Sequence, residues 1–229
     1  MIFLHEGLGS IELWRTFPNN VVRATSARGV VYSREGNGWS DPLDDDRGID
    51  YMHDEATRVL PELAGIFAPE PPILIGHSDG ASIALMFAGS GHPVTGLVLI
   101  APHVFVESVT LNSIGALRQE FPGSEMAQKM AKYHADPERT FYGWADIWLA
   151  DAFASWNIEE FLPAISCPTL TIQGDADEYG TLAQLEAIDA GIDHPMHRLV
   201  VEGAGHAPHI SHPTLVTDAV IDFIRRIEP

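Results

Sequence analysis

The chain of 229 residues is 45% hydrophobic and carries 13 basic and 32 acidic residues, a formal net charge of −19. This length and composition can bury a full core as one domain, and the negative charge excludes nucleic acid as a partner because phosphates would be repelled. No apolar run approaches a membrane span, and Ile2–Leu4 is too short for a secretory signal. Cys167 is the only cysteine, so the chain cannot form an internal disulfide. Together these features predict a cytoplasmic protein.

The clearest chemical signal along the chain is the motif Gly76–Gly80, which reads Gly-His-Ser-Asp-Gly. It follows the apolar run Ile73–Ile75, a predicted buried strand, and precedes the helix-like run Ala81–Phe87. A serine with glycine two positions before and after it, between a strand and a helix, is the sequence form of a nucleophile elbow. The glycines permit a tight turn, and the helix N-terminus favours a developing oxyanion, with the N–H of Asp79 as first donor. Ser78 is therefore the predicted nucleophile.

Asp79 places a carboxylate beside the predicted nucleophile and allows two interpretations. Its charge would disfavour anionic substrates and could pair with the ammonium group of an aminoacyl ester. Alternatively, its side chain turns towards a neighbouring donor and only its N–H takes part.

Residues 103–163 have helical periodicity and hold three of the five tryptophans of the chain. We expect a helical insertion here, flanked by core segments at residues 1–102 and 164–229. Arg118 is a candidate for binding a substrate carboxylate, with simple solvation as the alternative. Four aromatic residues are predicted to wall an apolar pocket, although such residues at helical spacing are more often core: Phe105, Trp144, Trp148 and Trp156.

An acidic turn follows the predicted strand that begins at Thr169 and ends near Gly174. A carboxylate at the carboxyl end of a strand can orient an imidazole and stabilise its protonated form. Asp177 is the predicted residue, with Asp175 and Glu178 as alternatives.

A histidine-rich turn, Gly203–His209, follows the next predicted strand. Histidine can accept the serine proton and return it near neutral pH, so His206 is the predicted general base. His206, His209 and His212 could instead be metal ligands, but the adjacent prolines oppose a regular helix and no acidic or cysteine ligand accompanies them. We predict no metal site.

The order Ser78, Asp177, His206, each residue after a strand, resembles that of the α/β-hydrolase superfamily, and the resemblance covers almost the whole chain. It implies a mostly parallel sheet flanked by helices, with residues 103–163 as a helical cap. The strands at the beginning of the usual family order have no counterpart before Ile2–Leu4. The run Val30–Tyr32 would then be an open sheet edge, which either pairs with a second copy in a homodimer or belongs to a truncated form of reduced stability.

The resemblance also implies an oxyanion loop at His5–Ser10, where the family usually carries His-Gly-x-Pro-Gly. Glu6 and Leu8 depart from that pattern. By alignment, the N–H of Gly7 is the second oxyanion donor, with Leu8 as the alternative.

These residues predict acyl transfer through a covalent intermediate on a small ester. Ser78 would attack the carbonyl carbon, His206 would act as base and Asp177 would stabilise the imidazolium, while the N–H groups of Gly7 and Asp79 bind the oxyanion. No metal or organic cofactor is expected.

Three other functions are compatible with the same motifs. They are carbon–carbon bond hydrolysis of ring-cleavage diketones, hydrolysis of aminoacyl esters, amides or lactones, and a ligand receptor that keeps the triad but turns over slowly.

Overall fold

The computed structural model describes residues 1–194 and 196–227, so residues 195, 228 and 229 of the predicted core lie outside the described part. Its centre is a six-stranded sheet in the order β2-β1-β3-β4-β5-β6, in which every neighbouring pair is parallel. The predicted parallel sheet is thus confirmed. The strands are β1 (Ile2–Leu4), β2 (Val30–Val31), β3 (Ile73–His77), β4 (Gly96–Ile100), β5 (Thr169–Gly174) and β6 (Met196–Val201).

Apolar residues face both sides of the sheet because successive side chains in a strand point in opposite directions. Leu97 and Leu99 of β4 belong to one core cluster, whereas Val98 and Ile100 belong to a second on the other face. Burial on both faces explains why the central strands read as continuous apolar runs rather than as alternating ones.

Helices cover both faces, and the chain forms ten of them within the described residues. The second core cluster packs beneath α1 and α10, while the first lies beneath α3, α4, α8 and the insertion. The helices are α1 (Phe17–Thr25), α2 (Tyr51–Asp54), α3 (Leu60–Phe67), α4 (Asp79–Gly89), α5 (Ser108–Glu120), α6 (Glu125–Met130), α7 (Pro137–Trp148), α8 (Ala183–Gly191), α9 (Pro208–Ser211) and α10 (Pro213–Ile227). A π-helical turn, Glu55–Val59, joins α2 to α3.

The segment between β4 and β5 carries α5, α6 and α7, followed by short 3-10 turns at Asp151–Phe153 and Glu159–Ala164. It is tied to the loop after β2 by three hydrogen bonds: Ala135 N donates to Gly38 O at 2.8 Å, Gly38 N donates to His134 Nδ1 at 2.9 Å, and Thr140 Oγ1 donates to Gly36 O at 2.8 Å. The insertion therefore contacts the same loop that borders the predicted oxyanion segment.

Strand β2 forms one edge of the described sheet and is only two residues long. Tyr32, which the sequence assigned to this strand, lies just beyond it. Among the described residues, no helix is long and apolar enough to cross a membrane.

Candidate active site

Ser78 lies on a strained turn between β3 and α4. Its backbone has φ of 53° and ψ of −120°, a region that residues with a side chain rarely adopt. The flanking glycines are a steric requirement, because a Cβ at Gly76 would lie 2.3 Å from Gly80 O and one at Gly80 would lie 2.0 Å from Leu4 O. The turn thus has the geometry expected for a nucleophile elbow.

The structure brings together the three predicted residues that follow β3, β5 and β6. His206 Nε2 lies 2.9 Å from Ser78 Oγ, and His206 Nδ1 lies 2.9 and 3.0 Å from the two carboxylate oxygens of Asp177. The N–H groups of Tyr179 and Gly180 donate to Asp177 Oδ1 at 2.8 and 3.3 Å and hold the carboxylate in place. A continuous hydrogen-bonded chain therefore runs from carboxylate to imidazole to hydroxyl.

The imidazole and the carboxylate stabilise each other's charged forms. Burial acts to lower the pKa of His206, but the hydrogen bond and charge of Asp177 outweigh it and raise the pKa above 6.5. Burial likewise acts to raise the pKa of Asp177, but the bond to His206 outweighs it and the pKa falls below its usual value. An imidazolium that forms at this position is therefore stabilised.

The other acids of this turn are engaged elsewhere. Asp175 Oδ1 accepts from Gly203 N at 2.7 Å, and Glu178 Oε2 accepts from His206 N at 3.1 Å. Both contacts support the loop that carries His206 without touching its ring.

The alternative interpretation of His206, His209 and His212 as metal ligands has no geometric support in the part of the chain that the structure describes. His209 is buried against the rings of Trp14, Phe17 and His77, whereas His212 bonds to Ser211 at the surface. No group of three or more histidine, cysteine or acidic residues among residues 1–194 and 196–227 is placed to hold a metal ion.

The loop His5–Ser10 passes over the same centre and is fixed by two side chains from the segment after β2. Arg34 Nη1 and Nη2 donate to His5 O and Glu6 O at 2.6 and 2.9 Å, and Asn37 Nδ2 donates to Gly7 O and to Gly9 O. These bonds engage carbonyl groups of the loop and none of its amides.

In the described structure, neither Gly7 N nor Leu8 N makes a hydrogen bond, so both predicted donors stay available. Asp79 N is at the first position of α4, where a helix offers no internal acceptor. Gly7 has no room for a side chain, because a Cβ would lie 2.2 Å from Trp144 Nε1.

The Asp79 carboxyl is buried and turned towards a neighbouring donor. The Tyr51 hydroxyl donates to Asp79 Oδ2, and Trp148 Nε1 donates to the same hydroxyl at 3.2 Å. Burial raises the pKa of Asp79 above its usual value, against the opposing charge of Arg34. The network links the helical insertion to the residue after Ser78.

A cavity of about 170 Å³ opens onto Ser78 and His206. Glu6, Gly7, Leu8, Asp79 and His103 also line it, and the rest of its wall, which is mostly apolar, consists of Thr110, Ile114, Met126, Trp144, Trp148 and Tyr179. An apolar cavity of about 150 Å³ holds a molecule the size of benzene. The part of a ligand enclosed here is therefore small.

Two of the aromatic residues predicted to wall a pocket do so, Trp144 and Trp148, and two do not. Trp156 stacks on Phe153 with ring centroids 5.4 Å apart, and the backbone of Phe105 forms an isolated bridge with Asn157 and accepts a hydrogen bond from Gln184 of α8.

Arg118 does not reach the cavity either. Its guanidinium pairs with Asp146 at 2.5 Å on the exposed face and lies 5.5 Å from the Tyr142 ring. Arg118 therefore has a local partner, and its assignment to a substrate carboxylate is corrected.

Three polar residues line the cavity without having been predicted to do so: Glu6, His103 and Tyr179. Of these, Glu6 was singled out from the sequence only as a departure from the family pattern. Glu6 Oε2 lies 3.4 Å from His77 Nδ1, and this neighbour outweighs burial and lowers the Glu6 pKa. The position of His103 just after β4 is a usable signal, because side chains at the carboxyl ends of parallel strands converge on one edge.

The fold and this site together define an α/β hydrolase. The model of the alpha/beta hydrolase family matches residues 1–219, and the chain belongs to that family. None of the curated protein sequences compared with the chain matches it.

Several solved structures have a similar fold. NosK from Streptomyces actuosus is 23% identical, with a TM-score of 0.76 over 100% of this chain and 98% of that one. A thermophilic esterase from Thermogutta terrifontis is 22% identical, with a TM-score of 0.67 and coverage of 100% and 90%. The enol-lactonase from Burkholderia xenovorans is 15% identical, with a TM-score of 0.73 and coverage of 98% and 90%. These likenesses show the fold.

Proposed function

We propose that the protein is a serine hydrolase that cleaves a small, uncharged carboxylic ester through an acyl-enzyme intermediate. The observation that carries this proposal is the chain of hydrogen bonds from Asp177 through His206 to Ser78 Oγ. Ser78 attacks the carbonyl carbon as His206 Nε2 takes its proton, and the N–H groups of Gly7 and Asp79 stabilise the oxyanion. His206 then protonates the leaving alcohol, and a water deprotonated by the same imidazole releases the acid.

The cavity supports an uncharged substrate. Glu6 and Asp79 both line it, whereas no arginine or lysine among the described residues does. A carboxylate in the substrate would therefore face two acidic side chains without a counterion. This argues against the ring-cleavage dienoates of carbon–carbon bond hydrolysis, which carry a negative charge.

The helical insertion, residues 103–163, acts in this proposal as the cap that sets substrate size. Trp144 and Trp148 of α7 lie over the centre and limit the enclosed part of the substrate. Short acyl chains should therefore be hydrolysed faster than long ones.

The test is steady-state hydrolysis of p-nitrophenyl esters of increasing acyl length by the wild type and by Ser78→Ala. Ser90→Ala is the matched control, since Ser90 is exposed at the far end of α4. We expect repeated turnover of the acetate and butyrate esters, loss of at least 10³-fold in kcat for Ser78→Ala, and no change for Ser90→Ala. Equal activity in Ser78→Ala would remove the nucleophile assignment.

The same assay separates an enzyme from a receptor that keeps the triad. A receptor would release at most one equivalent of p-nitrophenol per chain and then stop, whereas a hydrolase continues to turn over.

A further inference from the structure

His103 is a second imidazole in the catalytic cavity. It follows β4 by three residues and is only 2% exposed, and its carbonyl accepts a hydrogen bond from Ser82 Oγ at 2.6 Å. Its ring centroid lies 5.6 Å from that of His206 and 5.3 Å from that of Trp148, which meets it edge-on. The ring is thus held between the proposed base and the wall of the cavity.

The ring of His103 has no hydrogen-bond partner among the described residues. Nδ1 is buried and unpaired, and a Cβ at Gly180 would lie 3.2 Å from Cε1, so the absent side chain of Gly180 makes room for the ring. Burial, reinforced by the charge of His206, lowers the His103 pKa to about 3. A neutral imidazole offers one N–H donor and one lone-pair acceptor. Such a group is costly to bury unless a ligand satisfies it.

The neighbours of His103 indicate which part of an ester lies beside it. In the proposed reaction, His206 protonates the leaving oxygen, so the alcohol portion must lie against the His206 ring. A group two or three bonds beyond that oxygen comes within reach of the ring 5.6 Å away. The carboxyl groups of Glu6 and Asp79 on the same cavity disfavour an anionic group there.

We propose that His103 is a specificity-determining residue that hydrogen-bonds to an uncharged polar group, such as a hydroxyl, on the alcohol portion of the ester. This inference rests on the proposed function and narrows its substrates to esters of polyols and related hydroxylated alcohols.

The test compares two acetate esters of equal size, 2-hydroxyethyl acetate and n-propyl acetate. The measured quantity is the ratio of their kcat/KM values, from acetate release at constant pH. We expect His103→Phe to lower this ratio about 3- to 10-fold relative to wild type, the usual effect of one hydrogen bond. His103→Asn keeps a donor and an acceptor and should retain most of the preference.

A merely structural role for His103 predicts a different result. His103→Phe would then slow both esters equally, with a lower Tm and an unchanged ratio, and the proposal would fail. A second pair, methyl 3-hydroxypropanoate and methyl butanoate, carries the hydroxyl on the acyl side. A change confined to that pair would overturn the assignment to the alcohol portion.

Ser78→Ala, assayed with the same esters, separates the two proposals. If it keeps wild-type activity, the proposed function fails. If it is inactive while the ratio in His103→Phe stays at the wild-type value, only the role of His103 fails.

Discussion

The substitution Gly7→Ala tests the oxyanion loop directly. The added Cβ would lie 2.2 Å from Trp144 Nε1, 2.3 Å from Trp144 Cδ1 and 2.9 Å from Asp79 Oδ2. Non-bonded heavy atoms make favourable van der Waals contact at separations of about 3.5 Å or more. The loop or the indole must therefore move by roughly an ångström or more, and Arg34 and Asn37 hold the loop carbonyls against that movement.

A shift of about 1 Å in a positioning group costs about 100-fold in rate. Loss of one oxyanion donor costs about 10²- to 10³-fold in kcat. We therefore expect Gly7→Ala to lower kcat for p-nitrophenyl acetate about 100-fold, or about 2.7 kcal/mol in activation free energy, with a smaller change in KM.

Gly65→Ala is the matched control, because a Cβ at Gly65 in α3 meets nothing within 4 Å. It should leave kcat unchanged and raise Tm slightly, since alanine favours helix by about 1 kcal/mol over glycine. A double-mutant cycle with Trp144→Leu shows whether the indole causes the defect: the loss due to Gly7→Ala should be smaller in that background. If Gly7→Ala keeps kcat within twofold of wild type, the loop does not hold the oxyanion as proposed.

Three further predictions follow from other parts of the site and fold. Because Asp177 raises the pKa of His206 and only the neutral ring can act as base, kcat/KM should be lost as the pH falls, with a midpoint above 6.5. Asp177→Asn should lower that midpoint and reduce kcat about 10³- to 10⁴-fold, and an unchanged pH profile would contradict the pairing. Tyr51→Phe removes the donor to the buried Asp79 carboxyl and should lower the free energy of unfolding by about 1–3 kcal/mol, as measured in urea. An unaltered urea midpoint would mean that the carboxyl finds another donor. If the open edge at β2 pairs with a second copy, light scattering should give twice the chain mass of 25.0 kDa, and a monomer at high concentration would exclude that pairing.

The central strands and the positions of Ser78, Asp177 and His206 could be predicted because each depends on a short local pattern. A serine two residues from glycine on either side, between a strand and a helix, leaves few backbone solutions, and the structure places Ser78 on such a turn. Asp177 and His206 follow strands whose carboxyl ends share one edge of the sheet, so topology brings them together.

The wall of the cavity could not be predicted in the same way. Trp148 and Trp156 belong to the same insertion, and only the packing of its helices decides which ring faces Ser78. Tyr51 lies 28 residues before Asp79 and 97 before Trp148, and no local periodicity reports such a contact. The position of His103 after β4 is visible in the sequence, but its ring contacts are not, since they are set by the packing of α7 and the turn after β5.

The strained backbone of Ser78 lowers the stability of the protein at the residue on which its proposed activity depends. A residue with a side chain held at φ of 53° and ψ of −120° carries about 1–3 kcal/mol of strain. A glycine at the same position would be free of this strain because it has no Cβ. Variants ranked only by heat resistance would therefore tolerate or favour glycine at position 78. Directed evolution of this protein must therefore score product formation in every round, or it will enrich stable variants that have lost Ser78, the proposed nucleophile.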